Sequence, residues 1–139
     1  MDPPHFKGSV TSSTTLTINA NIPYPVVEDN YGGWNATNKY WVVPAGCGGL
    51  YVAMAQFKWN AALGAAPYIR ILGGASNATA AIISANASST ASATGVHVSG
   101  FLRCNAGDQI SVQPGNLGFT TLSDSPADNN FFEIFFYAQ

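Results

Sequence analysis

Hydrophobic residues are most concentrated in residues 40–59, YWVVPAGCGGLYVAMAQFKW, around which the rest of the chain is organised. Two runs rich in aromatic and β-branched residues, 40–43 and 50–59, flank a break made of proline, alanine, cysteine and glycine. Neither a helix nor a strand continues easily through such a break. We therefore predict a strand, a tight turn and a second strand, paired as a central hairpin.

The second of these strands is predicted to become less buried along its length. Every second residue from Tyr51 onward is apolar, so one face should be buried throughout; its residues are Tyr51, Ala53, Ala55, Phe57 and Trp59. The opposite face runs from Leu50, Val52 and Met54 to Gln56 and Lys58. The strand should therefore begin buried on both faces and end half exposed.

Similar patterns predict further short strands along the chain. A half-buried strand is expected at residues 14–21, where Leu16, Ile18 and Ala20 alternate with polar residues, and residues 28–38 are expected to form a loop carrying Trp34. Other strands are predicted at residues 68–72, 95–105, 109–113, 119–122 and 131–139, with a weak hairpin within 77–94. No helical period is found. About eight to ten strands with frequent turn signals indicate an all-β, antiparallel two-sheet sandwich or jelly roll.

The chain length suits one such domain. With 139 residues, we expect a single domain over residues 13–139 and an N-terminal arm over residues 1–12, because residues 1–9 hold two prolines and no periodicity. Hydrophobic residues make up 47% of the chain and charged residues only 9%, against roughly 25% in an ordinary soluble domain. Partner subunits are therefore expected to cover part of the apolar surface.

Charge and hydropathy exclude several classes of partner. The net charge is -2 and the five basic residues are scattered, which disfavours nucleic-acid binding. No apolar run approaches the roughly 18 residues of a membrane-spanning helix. The first residues show neither a basic nor an apolar signal region, so we expect assembly in a cytoplasm.

Candidate catalytic and metal-binding residues are few. Cys47 and Cys104 are too few for a disulfide framework or a zinc site, and we expect two unbridged thiols. His97 and Ser99 would lie side by side on one strand and not converge. Asp108 is expected to cap a turn. We predict no catalytic residue, no metal site and no cofactor.

Several of these segments resemble a known family. The glycine-rich break leading to Gly49-Leu-Tyr51, the strands in residues 101–112 and the aromatic last strand are similar to the globular head of complement component one-q and tumour necrosis factor. The resemblance covers roughly residues 13–138 and implies a ten-strand jelly roll that assembles as a trimer, with the first and last strands central in the inner sheet. Ala53 stands where an aromatic residue is usual, and no collagen stalk precedes the domain. The chain therefore looks more like the small stand-alone versions found in bacteriophage virions.

This resemblance implies a non-enzymatic, trimeric virion protein, assembled in the host cytoplasm and located at the tail, tail fibre or capsid surface. In the last strand, Phe132, Ile134 and Phe136 can fill the core, which leaves the other apolar rings facing outward. We expect these rings at the trimer interface; they are Phe131, Phe135 and Tyr137. Glu133 must then be solvated, paired or protonated.

The resemblance also suggests a contact with a host receptor or glycan. Loops at one end of the sandwich would supply it, with Tyr31 and Trp34 as the exposed aromatic residues. Alternatively, Trp34 packs under its own loop. Two other functions stay open: a soluble binding module for a carbohydrate or protein ligand that is not part of a virion, and a hydrolase.

Overall fold

The structure, a computed structural model, describes residues 2–58, 68–75, 81–86, 95–115, 122 and 130–139, with the backbone alone for 81–86. These residues contain ten strands and no helix, which confirms the all-β prediction. The strands are β1 His5–Ser9, β2 Val26–Asp29, β3 Trp34–Asn35, β4 Tyr40–Val42, β5 Gly49–Lys58, β6 Tyr68–Gly74, β7 Ala81–Asn86, β8 Gly95–Cys104, β9 Gln109–Gly115 and β10 Phe131–Ala138.

The strands form two antiparallel sheets of five. The first sheet has the order β2-β1-β10-β5-β8 and the second the order β3-β4-β9-β6-β7. The last strand is therefore the middle strand of the first sheet. It pairs with β1 on one side and with β5 on the other.

The core lies between the two sheets and follows the predicted alternation. Four inward residues of β5 are fully buried: Tyr51, Ala53, Ala55 and Phe57. Their outward neighbours are half-buried as far as Gln56, and Lys58 is exposed. Trp59 lies outside the described residues. In β8 the residues also alternate, with Val96, Val98 and Leu102 buried and His97, Ser99 and Arg103 exposed.

The predicted central hairpin is wrong. β4 belongs to the second sheet and β5 to the first, so residues 43–48 carry the chain from one sheet to the other. Val43 still bonds to the second sheet, donating its N–H to the carbonyl of Asp108 at 2.9 Å. Trp41 and Tyr51 then face each other across the core, with ring centroids 5.8 Å apart. The crossing places the two rings on opposite sheets, and both are fully buried between them.

The predicted arm contains a strand, so that part of the prediction is wrong as well. β1 pairs with β10 and with β2, and Phe6 is fully buried. The two prolines precede the strand and do not interrupt its ladder. A side chain at Gly8 would approach Tyr24 Cβ to 2.6 Å, so the inward position holds a glycine.

Two predictions for residues 14–38 are corrected. Residues 14–21 form no strand, because Asn19 takes a left-handed conformation (φ 60°) and Ala20 donates to Thr17 in a turn. The predicted loop at residues 28–38 includes the end of β2 and all of β3.

Of the predicted hairpin in residues 77–94, only β7 lies within the described residues. The predicted strand at residues 119–122 lies outside them except for Leu122, which is buried.

Candidate functional site

The outward surface of the first sheet, called here the outer face, is formed by outward side chains of β1, β10, β5 and β8. On β10 it carries Phe131, Glu133, Phe135 and Tyr137, so the three predicted rings share one face. Phe131 and Phe135 are half-buried by their neighbours, whereas Tyr137 is 62% exposed. The orientation predicted from the period-two pattern is therefore confirmed.

Apolar residues of the neighbouring strands extend this patch. Phe135 lies opposite Val52 of β5, and Val52 lies opposite Phe101 of β8. The Phe101 ring is 58% exposed and meets the edge of Tyr137 with centroids 5.2 Å apart. Phe101 was not among the predicted interface residues, although it follows His97 and Ser99 at the same period. The outer face thus has a row of apolar residues, Phe135, Val52 and Phe101, across three adjacent strands.

A charged cluster borders the apolar patch. His5 Nε2 lies 2.9 Å from Glu133 Oε1, and His5 Nδ1 lies 3.3 Å from Glu28 Oε1. Burial lowers the pKa of His5, but hydrogen bonds to Glu133 and Glu28 and their negative charges outweigh burial and raise this pKa above its ordinary value. Glu133 is therefore paired, which was one of the three outcomes expected for it. The prediction of an arm over residues 1–12 did not include this pairing, because the pairing depends on β1 lying beside β10.

Tyr31 and Trp34 line one open groove at an end of the sandwich. Its volume is about 810 Å³, and its other walls include Gly33, Val42, Pro44 and Ala106. These residues belong to the turn before β3, the crossing between β4 and β5, and the turn before β9. The structure therefore brings together the two aromatic residues predicted to contact a receptor.

Trp34 also packs inward. Its ring stacks on Phe6 with centroids 4.9 Å apart and meets Tyr24 edge to face at 6.4 Å. Its backbone N–H donates to Asp29 Oδ2 at 2.8 Å. Tyr31 lies further out and donates its hydroxyl to the carbonyl of Asp2 at 3.0 Å. Trp34 therefore lines the groove and also packs against the core. Tyr31 lines the groove without stacking on a core ring of the described residues.

The polar residues considered for chemistry lie apart. Cys47 is half-buried and Cys104 buried, both as free thiols, and burial together with the charge of Asp108 raises the pKa of Cys104 to about 12. Asp108 Oδ2 accepts the N–H of Asn105 at 2.8 Å, which makes it a turn cap as predicted. Within the described residues no three His, Cys, Asp or Glu side chains converge as a metal site would require.

The part of the chain that the structure describes has no helix long and apolar enough to cross a membrane. Comparison of the chain with protein-family models and with curated proteins finds no match.

Proposed function

We propose that this chain is a non-enzymatic, trimeric structural protein of a bacteriophage virion, located at the tail, tail fibre or capsid surface. The observation that carries the proposal is the outer face. β10 is the middle strand of its sheet, yet it presents Phe131, Phe135 and Tyr137 away from the core. A sheet normally needs only one apolar face, so a second one is best explained by another subunit.

The strand order supports a complement one-q-like jelly roll. In the resembling family the first and last strands are central in the inner sheet and face the threefold axis. Here β1 and β10 are adjacent within the first sheet, and the apolar side chains of β10 point outward. Three copies related by closed cyclic symmetry would cover these rings without open-ended growth.

The cluster of His5 and Glu133 makes burial of this face feasible. An unpaired carboxylate between two phenylalanines would oppose association, because a buried charge without a partner is costly. When protonated, the imidazole of His5 supplies a hydrogen bond and a positive charge to Glu133. In that state the carboxylate on β10 is compensated.

The virion assignment draws on the resemblance and on the low content of charged residues, 9%. Its test is mass spectrometry of purified phage particles from the source organism. Peptides of this chain at a copy number divisible by three would support the proposal. A product found only outside particles would contradict it.

A soluble ligand-binding or carbohydrate-binding module is the second candidate, favoured by the groove that contains Tyr31 and Trp34. Groove volumes of this order are typical of ligand sites. Variants Tyr31→Ala and Trp34→Phe keep the core contacts with Phe6 largely intact and test the groove. Loss of phage adsorption with both variants would support receptor contact through the groove; glycan binding by a monomeric product would favour the module.

A further inference from the structure

A second, polar pocket of about 380 Å³ lies beside the second sheet, where the chain of residues 19–21 runs along β9. Asn19 donates its N–H to the carbonyl of Pro114, and Ile22 donates to Val112, each at 2.9 Å. The turn after β3 closes the other side. Almost every lining side chain can form hydrogen bonds: Asn19, Asn21, Thr37, Asn38, Lys39 and Gln113.

Hydrogen bonds connect three of these side chains, those of Asn19, Asn21 and Gln113, to one another and to their surroundings. Arg70 Nη2 donates to Asn19 Oδ1 at 2.7 Å and to Gln113 Oε1 at 3.0 Å. Gln113 Nε2 then donates to Asn21 Oδ1 at 2.9 Å, and Asn21 Nδ2 donates to the carbonyl of Asn38 at 3.1 Å. The bonds connect residues 19–21 to β6, to β9 and to the turn before β4. The pocket wall is therefore held in place before any ligand binds.

Two residues of the pocket have strained backbones. Asn19 and Lys39 both have φ 60°, and they are the only non-glycine residues with positive φ in the described parts of the chain. Asparagine tolerates this conformation, but lysine rarely adopts it. Strain of this kind is concentrated at functional sites.

Lys39 is the one basic residue among the described residues of the pocket lining, and Arg70 bonds to two of the lining residues, Asn19 and Gln113. Neither Lys39 nor Arg70 forms an ion pair with a carboxylate of the described residues. The Arg70 guanidinium lies 5.7 Å from the ring centroid of Tyr68, and the Tyr68 ring covers Gly115, where any side chain would collide with it. The Tyr68 hydroxyl points toward Asn19, with 3.4 Å between the oxygen atoms.

We propose that this pocket binds an acidic saccharide, a sugar that carries a carboxylate. Carboxamide and hydroxyl groups in the wall match the hydroxyl groups of a sugar, which act as both donors and acceptors. The Lys39 ammonium, which has no partner among the described side chains, would form a charge-assisted bond to the carboxylate. At about 380 Å³ the pocket is open to solvent and polar, which suits a hydrated sugar and not an enclosed apolar ligand.

The proposal is independent of the trimer. The pocket involves β6 and β9 of the second sheet, whereas the outer face belongs to the first. Light scattering reports assembly whether or not the pocket binds a sugar, so failure of one proposal leaves the other intact.

The test is a titration in which saccharides are added to the full chain and the shifts of its backbone amides are recorded by nuclear magnetic resonance. The acidic probes are sialyllactose and a hyaluronan tetrasaccharide; the neutral probes are lactose and chitotetraose, and inorganic phosphate is a third arm. We expect saturable shifts at Asn19, Asn38 and Lys39 with at least one acidic probe, and at least ten-fold weaker binding of its neutral counterpart. No shift with either acidic probe would overturn the proposal, as would equal binding of the neutral probes or of phosphate.

The variant Lys39→Asn tests the role of the charge. Asparagine accepts the left-handed backbone, so the turn should keep its shape while the ammonium is removed. Binding of the acidic probe should weaken by about ten-fold or more, the scale of one hydrogen bond to a charged group. Lys58→Gln is the matched control, because it removes a lysine at the exposed end of β5. Unchanged binding by Lys39→Asn, or equal weakening by Lys58→Gln, would contradict the assignment.

Discussion

His5 and Glu133 are 128 residues apart in the chain, and their side chains lie 2.9 Å apart, from Nε2 to Oε1. The other ring nitrogen of His5 lies 3.3 Å from Glu28. The imidazole is therefore placed between two carboxylates, one on each neighbouring strand. Such an arrangement favours the protonated ring, which donates from both nitrogens.

The first prediction is a dependence of stability on pH. The pKa of His5 in the folded protein is raised above about 6.5, its ordinary value. Its stabilising contribution is therefore complete below about pH 6.5 and is lost as pH rises through the higher folded pKa. Both side chains remain about a quarter exposed, so the loss should be only about 0.2–1 kcal/mol.

Urea unfolding between pH 5.5 and 8.5 measures this effect. The difference in unfolding free energy between the unmodified protein and the double variant Glu28→Gln, Glu133→Gln should shrink as pH rises. A difference that stays constant, or that grows, would show that His5 does not carry the effect.

The second prediction concerns Trp34. Its ring stacks on the fully buried Phe6, but the residue is only half-buried. Trp34→Ala should lower the unfolding free energy by about 2–3 kcal/mol, somewhat less than the roughly 3–5 kcal/mol of a fully buried aromatic residue. Tyr31→Ala, at the rim of the same groove, should cost less than about 1 kcal/mol. Equal losses in chemical denaturation would contradict the inward role of Trp34.

The third prediction compares two adjacent glycines. A Cβ atom at Gly33 would lie 2.6 Å from the Val42 carbonyl oxygen and 2.7 Å from Trp41 Nε1. Gly33→Ala should therefore destabilise the protein by about 1–3 kcal/mol through overpacking. Gly32 has φ 64° and open space around it, so Gly32→Asn should be nearly neutral. Thermal unfolding of both variants checks this, and a reversed order would be inconsistent with the packing of β3 on β4.

The fourth prediction concerns the thiols. Cys104 is buried and its pKa is raised to about 12, so little reactive thiolate forms near neutral pH. Iodoacetamide at pH 8 should therefore label Cys47 in the native protein much faster than Cys104. In denaturant without reductant, both should be labelled. Mass spectrometry that finds neither labelled would indicate a disulfide between them.

Period-two alternation is sufficient to predict the long strands. β8 and β10 each alternate over eight residues or more, so their inward and outward residues follow from the sequence. β1 has only five residues, and its second inward position is Gly8, which leaves Phe6 as the one large apolar side chain facing the core. Pairing with β10, and not local pattern, makes this segment a strand. The sequence therefore cannot distinguish it from an arm.

Strand partners and side-chain clusters depend on contacts between distant residues. The crossing between β4 and β5 follows from the contact of Trp41 with Tyr51 across the core, and local alternation contains no information about it. The outward direction of Phe135 on the outer face is predictable from the pattern. The pairing of Glu133 with His5 is not, because it depends on β1 lying beside β10.

The fifth prediction is the trimer. Fully burying one exposed aromatic ring contributes roughly 1.5–3 kcal/mol. Phe131 and Phe135 are already half-buried in one subunit, so Tyr137 and Phe101, the most exposed rings of the outer face, should gain most from assembly. Phe135→Asp places a charge at the centre of the outer face and should yield monomer or aggregate. Lys58→Ala changes an exposed residue at the end of β5 and should leave the assembly intact.

Light scattering coupled to size-exclusion chromatography tests the central claim most directly. The unmodified chain should elute as one species with a mass three times 14.5 kDa. Phe135→Asp should lose this species and Lys58→Ala should keep it. A stable species of 14.5 kDa for the unmodified chain at micromolar concentration would contradict the account.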